Sequence, residues 1–107
     1  MEISISIKGE EKIKNKTKTN NEIKIPRLYK VLIYNDDFTT MDFVVKILMV
    51  VFSKNNQEAY DIMMDVHYGS FAVVGLYPRD IAMTKKEIVT SMAREEGFPL
   101  KVEVEPE

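Results

Sequence analysis

Residues 28–53 read LYKVLIYNDDFTTMDFVVKILMVVFS, and this stretch decides how the rest of the chain is organised. Leu28 to Tyr34 is β-branched and aromatic, the composition of a strand buried on at least one face. Asn35-Asp36-Asp37 interrupts it as a turn, because these short polar side chains bond neighbouring backbone groups. A helix start follows. Thr39 is placed to cap it, Asp42 falls at its third position, and Phe38 is spaced to staple onto Phe43. The helix is expected to run to about Ser53, with Asp42, Lys46 and Ser53 as its polar positions. So narrow a polar stripe means that the helix is buried on two sides or lines a groove.

Downstream, Asn55 with Glu58 forms an Asn-led capping box, and Ala59, Ile62, Met63 and Val66 supply one apolar helical face. Gly69 is the expected stop. Phe71 to Tyr77 reads as a second strand, ended by Pro78. Thr84 with Glu87 predicts a further capping box, with Met83 spaced to staple onto Ile88. The third helix would turn Ile88, Val89, Met92 and Ala93 inward and stop at Gly97-Phe98-Pro99. Leu100, Val102 and Val104 then alternate with charges in a half-exposed last strand. The expected order is β-α-α-β-α-β: a small α/β (α+β) domain with a three-stranded antiparallel sheet packed on three helices.

Upstream, residues 1–27 carry seven basic and four acidic side chains, net +3, whereas residues 28–107 carry eight and thirteen, net −5. The stretch GEEKIKNKTKTNNEIK (9–24) buries too little apolar surface to offset its ordering entropy. Residues 1–27 are therefore expected to be a flexible arm on a core of residues 28–107. Met1 to Ile7 alternates Ile with Ser, which is only faintly strand-like.

Composition removes several functions. With no cysteine there is no disulfide, no thiolate zinc site and no cysteine nucleophile. The single histidine, His67, leaves one possible centre for a Ser/His/Asp triad, and Ser53, Ser70 and Ser91 have no base at a recognisable spacing. A net charge of −2 opposes general nucleic-acid binding. The longest apolar stretch, Phe43 to Phe52, is broken by Lys46 and falls far short of the roughly 20 residues of a membrane span. MEISISIK has no secretory character, so the cytoplasm is the expected compartment. The adjacent carboxylates Glu95-Glu96 and Asp36-Asp37 do not form the separated, oppositely tuned pair of acid–base hydrolysis. A binding protein, not an enzyme, is the reading that remains.

Two features could carry binding. Asn35-Asp36-Asp37 is either a polar turn satisfied by its own backbone or an acceptor-rich site suited to a cation or an amine. His67 is either a structural residue at a helix end or, sharing a face with Met63, part of an apolar pocket with a polar lip opposite Met41 and Val44. Methionine suits surfaces that accept several ligand shapes. A Ca²⁺ or Zn²⁺ site from Asp36, Asp37 and His67 is short of ligands, and no cofactor is implied.

Tyr29 to Val44, YKVLIYNDDFTTMDFV, resembles the signature of the ClpS family, the bacterial and plastid adaptor that delivers N-degron substrates to a Clp protease. Met63 with Val66-His67-Tyr68, Gly75 through Thr84-Lys85, and Ala93-Arg94-Glu95 with Pro99-Leu100 match in order, so the resemblance covers residues 28 to about 105. It implies a monomeric domain with a pocket for an N-terminal Leu, Phe, Tyr or Trp. Asn35 and His67 would hold the α-amino group, Asp36 would assist through water and Asp37 would support the charge. Ile33, Thr39, Met41, Val44, Met63, Val66 and Leu100 would line the side-chain cavity, with Met41 rejecting β-branched residues. The resemblance further implies docking on the N-terminal domain of a ClpA- or ClpC-type unfoldase through Asp80 and Lys85, with the arm engaged during hand-over. Thr40 stands where the family usually has Pro, and Gly69-Ser70-Phe71 where it commonly has Gln-Gly-Lys. The competing expectation is a structural interaction module like the C-terminal domain of the ribosomal stalk.

Overall fold

A computed structural model describes residues 26–107, so the expected arm lies outside the described residues except for Pro26 and Arg27. The elements are β1 (Leu28–Tyr34), α1 (Met41–Val50), α2 (Asn56–Gly69), β2 (Phe71–Pro78), α3 (Arg79–Glu95) and β3 (Lys101–Pro106), the order read from the sequence. The strands form one antiparallel sheet, β2-β1-β3, with β1 in the centre.

Helix α3 lies across all three strands, α2 packs on β2, and α1 packs on α2. The core lies between sheet and helices, where Val31, Ile33, Ile47, Leu48, Val89 and Val102 are almost wholly buried. Val31 and Ile33 of β1 turn to this core on one face of the sheet, and Leu32 between them is buried as well, outside the core cluster. Between Val31 and Leu32 the register with β2 shifts, Val31 facing Gly75 and Leu32 facing Val73. Val74 is the extra residue of this bulge, and the core buries it. Gly75 lies close against the Tyr77 side chain. A Cβ there would lie 2.9 Å from the Tyr77 hydroxyl and 3.0 Å from its ring.

Several boundaries differ from expectation. Helix α1 is capped by Thr40, not Thr39: the Thr40 hydroxyl accepts from the Phe43 N–H at 3.2 Å. Thr39 is already engaged by Asp36, which leaves the next hydroxyl to cap, and Asp42 becomes the second helical residue. Phe38 does not staple; it is 73% exposed, and Phe43 instead meets Phe98 edge-on at 5.1 Å. The helix ends at Val50 rather than near Ser53, which turns the chain with φ 56°. The Asn55–Glu58 capping box of α2 is present in both directions. Gly69 stays helical, and Ser70 takes the left-handed conformation, φ 75°, in its place.

The third helix departs most. It starts at Arg79 directly from Pro78, with no side-chain cap, so Thr84 and Glu87 are interior and neither box nor Met83 staple forms. Proline needs no N–H partner and Asp80 complements the helix dipole, so the earlier start leaves little unsatisfied. The longer helix buries Ala82, Val89 and Ala93 and leaves Ile88 45% exposed, against the expected inward Ile88. It stops as expected at Gly97, φ 79°. The Phe98 N–H bonds the Ala93 carbonyl at 2.9 Å and the Gly97 N–H bonds that of Arg94 at 3.0 Å, a Schellman turn.

Candidate functional site

The site forms where β1 ends. One pair beyond Tyr34–Phe71, the Asn35 N–H donates to the Ser70 carbonyl at 2.7 Å. That bond ties the Asn35-Asp36-Asp37 turn to the end of α2, where His67 occupies the last turn. The left-handed Ser70 makes this tie possible by reversing the chain immediately after α2.

Asp36 shapes the turn. Its Oδ1 accepts from the N–H groups of Phe38 (2.8 Å) and Thr39 (2.7 Å), and its Oδ2 from the Thr39 hydroxyl (2.7 Å). Partial burial by itself raises its pKa, but the Thr39 and Phe38 hydrogen bonds and the charge of Arg94 outweigh that and hold it below the ordinary carboxylate value. Both readings of the turn therefore meet in one residue, which satisfies its own backbone and also faces a cavity.

That cavity, about 290 Å³, is lined by Asn35, Asp36, Asp37 and Thr39 from the turn, Met41 and Val44 from α1, and Met63, Val66 and His67 from α2. Val44, Met63 and Val66 are buried and form an apolar interior, whereas Asn35, Asp37 and His67 are exposed at the mouth. The ion pairs among the described residues are Lys86–Glu103 and Lys101–Glu103, so Asp37, the carboxylate at the mouth, has no cation partner among them. Acceptors around an apolar hole suit a ligand with an ammonium beside a hydrophobic group. Within the described residues no group of three His, Cys, Asp or Glu could hold a metal ion.

Two expected lining residues are elsewhere. Ile33 and Leu100 are fully buried in the core and do not border the cavity. Asp80 and Lys85 belong to α3, which contributes nothing to the lining. The Lys85 ammonium donates to the Val51 carbonyl at the end of α1 (2.7 Å) and lies 5.3 Å from the Tyr77 ring centre and 5.7 Å from that of Phe52. Helix α1 has no basic residue in its last turn, and Lys85 supplies that charge from α3. The sequence reading gave Arg94 no role, yet its Nη1 donates to the carbonyls of Phe98 (2.8 Å) and Leu100 (3.1 Å) and its charge acts on Asp36. The signals for it were its place in a last helical turn and in the matched stretch Ala93-Arg94-Glu95.

The family described as ATP-dependent Clp protease adaptor protein ClpS matches residues 24–103. The chain belongs to the ClpS family. The ClpS adapter of Acetivibrio thermocellus is 51% identical over 92 residues, covering 86% of this chain and 93% of that protein. That of Desulfatibacillum aliphaticivorans is 48% identical over 91 residues, 85% and 88% of the two chains. The structure of Agrobacterium tumefaciens ClpS2 bound to L-phenylalaninamide superposes with a TM-score of 0.75 at 42% identity, covering 78% of this chain and all of that one. Family membership makes the chain an adaptor of the Clp protease, in place of the ribosomal-stalk-like module. No helix among the described residues is long and apolar enough to cross a membrane.

Proposed function

We propose that the protein binds substrates with an N-terminal Leu, Phe, Tyr or Trp and hands them to a ClpA- or ClpC-type unfoldase in the cytoplasm. The observation that carries this reading is the cavity, with buried apolar walls and unpaired acceptors at its mouth. An α-amino group fits that mouth: Asn35 and His67 accept from it directly, and Asp37 adds a negative potential. Asp36 uses both oxygens inside the turn, so it acts on the amine through its charge or a bridging water. The first side chain enters between Val44, Met63 and Val66, with Thr39 at the rim. Met41, 43% exposed, closes the entrance against β-branching at the first residue. Ile33 and Leu100 support these walls from the core. A relative that binds phenylalaninamide, an aromatic side chain beside a free amine, supports the same chemistry here.

Docking on the unfoldase is assigned to the exposed side of α3. Asp80 supplies charge there, and Ile81 and Ile88, both exposed, repeat at a two-turn spacing beside it. Lys85 borders this side, but its ammonium is tied inward, so its contribution is chiefly to hold α3 against α1. A monomer suffices for both contacts, and the arm would engage the unfoldase during transfer.

The deciding experiment is a titration with a peptide beginning with Phe and with the same peptide acetylated at its amine. Saturable binding of the free amine is expected, with Kd on the order of 1 μM, about −8 kcal/mol. The acetylated peptide should bind at least 100-fold more weakly, since it loses charge and donors together. Equal affinity for the two would sink the assignment.

A further inference from the structure

The cavity opens onto a second surface. On α1 the buried residues Phe43, Val44, Ile47 and Leu48 face the core, and Met41, Val45 and Met49 follow one another at four-residue steps along the adjoining flank. On α2 the core face is Ala59, Met63 and Val66, with Tyr60, Met64 and His67 along its own flank. The cavity joins Met41, at the start of α1, to His67, at the end of α2. Because the two helices pack on one another, they leave this point in opposite chain directions, and the two flanks run on side by side. Val45 and Met64 are half-buried against the core, as the floor of a trough would be, while Met49 (37% exposed) and Tyr60 (51% exposed) stand further out, as its sides would.

We infer that this trough receives the substrate's own chain, and specifically an apolar side chain at its third residue. The inference rests on the reading of the cavity as the site for the first residue. Two features select this occupant. The trough is continuous with the cavity mouth at Met41, where any chain attached to a bound first residue must emerge. The spacing also matches: an extended chain returns to the same face every two residues, about 6.6 Å, and one α-helical step of four residues is about 6 Å. With the first side chain beside Met41, the third falls over Val45, between Met49 and Tyr60. The second points away. Methionine on two sides lets the trough accept Leu, Met or Phe without a fixed shape.

The test compares three amidated peptides on the full chain by calorimetry: Phe-Ser-Leu-Ser-Gly, Phe-Leu-Ser-Ser-Gly and Phe-Ser-Ser-Ser-Gly. Leu at the third position should tighten binding about fivefold over Ser, the scale expected for half-burying its side chain, while Leu at the second should change it less than twofold. Met49→Ser and Tyr60→Ser, both at exposed positions, should each bring the third-position ratio towards one and leave L-phenylalaninamide affinity unchanged. A ratio near one in the native protein, or a fivefold ratio that survives both substitutions, overturns the inference while leaving the cavity assignment standing. Failure of L-phenylalaninamide itself to bind overturns both.

Discussion

At the scale of single residues, Asp36 shows how one carboxylate serves two ends. Three hydrogen bonds from Phe38 and Thr39 hold the turn, and the same group faces the cavity. Its folded-state pKa is depressed, so its stabilisation is fully present above the ordinary carboxylate value of 3.8 and is lost as pH falls through the lower folded value. Amide exchange at Phe38 and Thr39 should therefore accelerate, relative to the rest of the domain, only below about pH 3.8. In Asp36→Asn the amide oxygen can still accept both backbone bonds, but the acid-dependent step should vanish; a step that persists would assign it to another group. Asn35-Asp36-Asp37 was legible from its residues as a turn or an acceptor site. That it is both depends on Ser70, thirty-five positions from Asn35, whose carbonyl fixes the turn over the end of α2.

At the scale of elements, the two capping boxes read from the sequence had opposite outcomes. Asn55 and Glu58 bond reciprocally, whereas Thr84 and Glu87, in an equally good pattern, lie inside α3. The difference lies in what precedes each pattern. Before Asn55 the chain has just turned at Ser53, φ 56°, so α2 cannot extend backwards. Before Thr84, Pro78 permits the helix to begin as soon as β2 ends, and burying Ala82 against the core favours those added turns. Asn55→Ala should therefore cost about 1 kcal/mol in a denaturant titration, and Thr84→Ala, at an exposed interior helical position, less than about 0.5 kcal/mol. Similar losses for both would mean that Thr84 still caps a helix in solution. The β2 strand was readable from composition, but its bulge was not, because the bulge is a shift in pairing with β1, a strand remote in the chain, and Val74 is buried there.

At the scale of the whole molecule, the two edges of the sheet differ. β3, KVEVEP, alternates charge with apolar residues, the usual protection of an edge strand. β2, FAVVGLYP, carries no charge over its length, and Phe71, Val73 and Leu76 are all exposed. If the protein works as a monomer, this edge is its weak point at high concentration. Val73→Lys should lower self-association in sedimentation velocity at millimolar protein and leave the affinity for a Phe-initiated peptide within twofold. Unchanged association would place the contact elsewhere.

The sequence by itself determined the type and order of every element, which depend on periodicity, capping and turn chemistry acting within a few residues. Its residues left Asn35-Asp36-Asp37 and His67 open between structural and binding roles, and only the resemblance to the ClpS family named them as one site. The tertiary structure alone decided which hydroxyl caps α1, where α3 begins, and that Lys85 closes the end of α1. It also decided that Ile33 and Leu100 stand behind the cavity walls rather than on them. Each of these is a competition between groups remote in the chain for one partner or one volume, and such a competition has an outcome only once folding has brought them together.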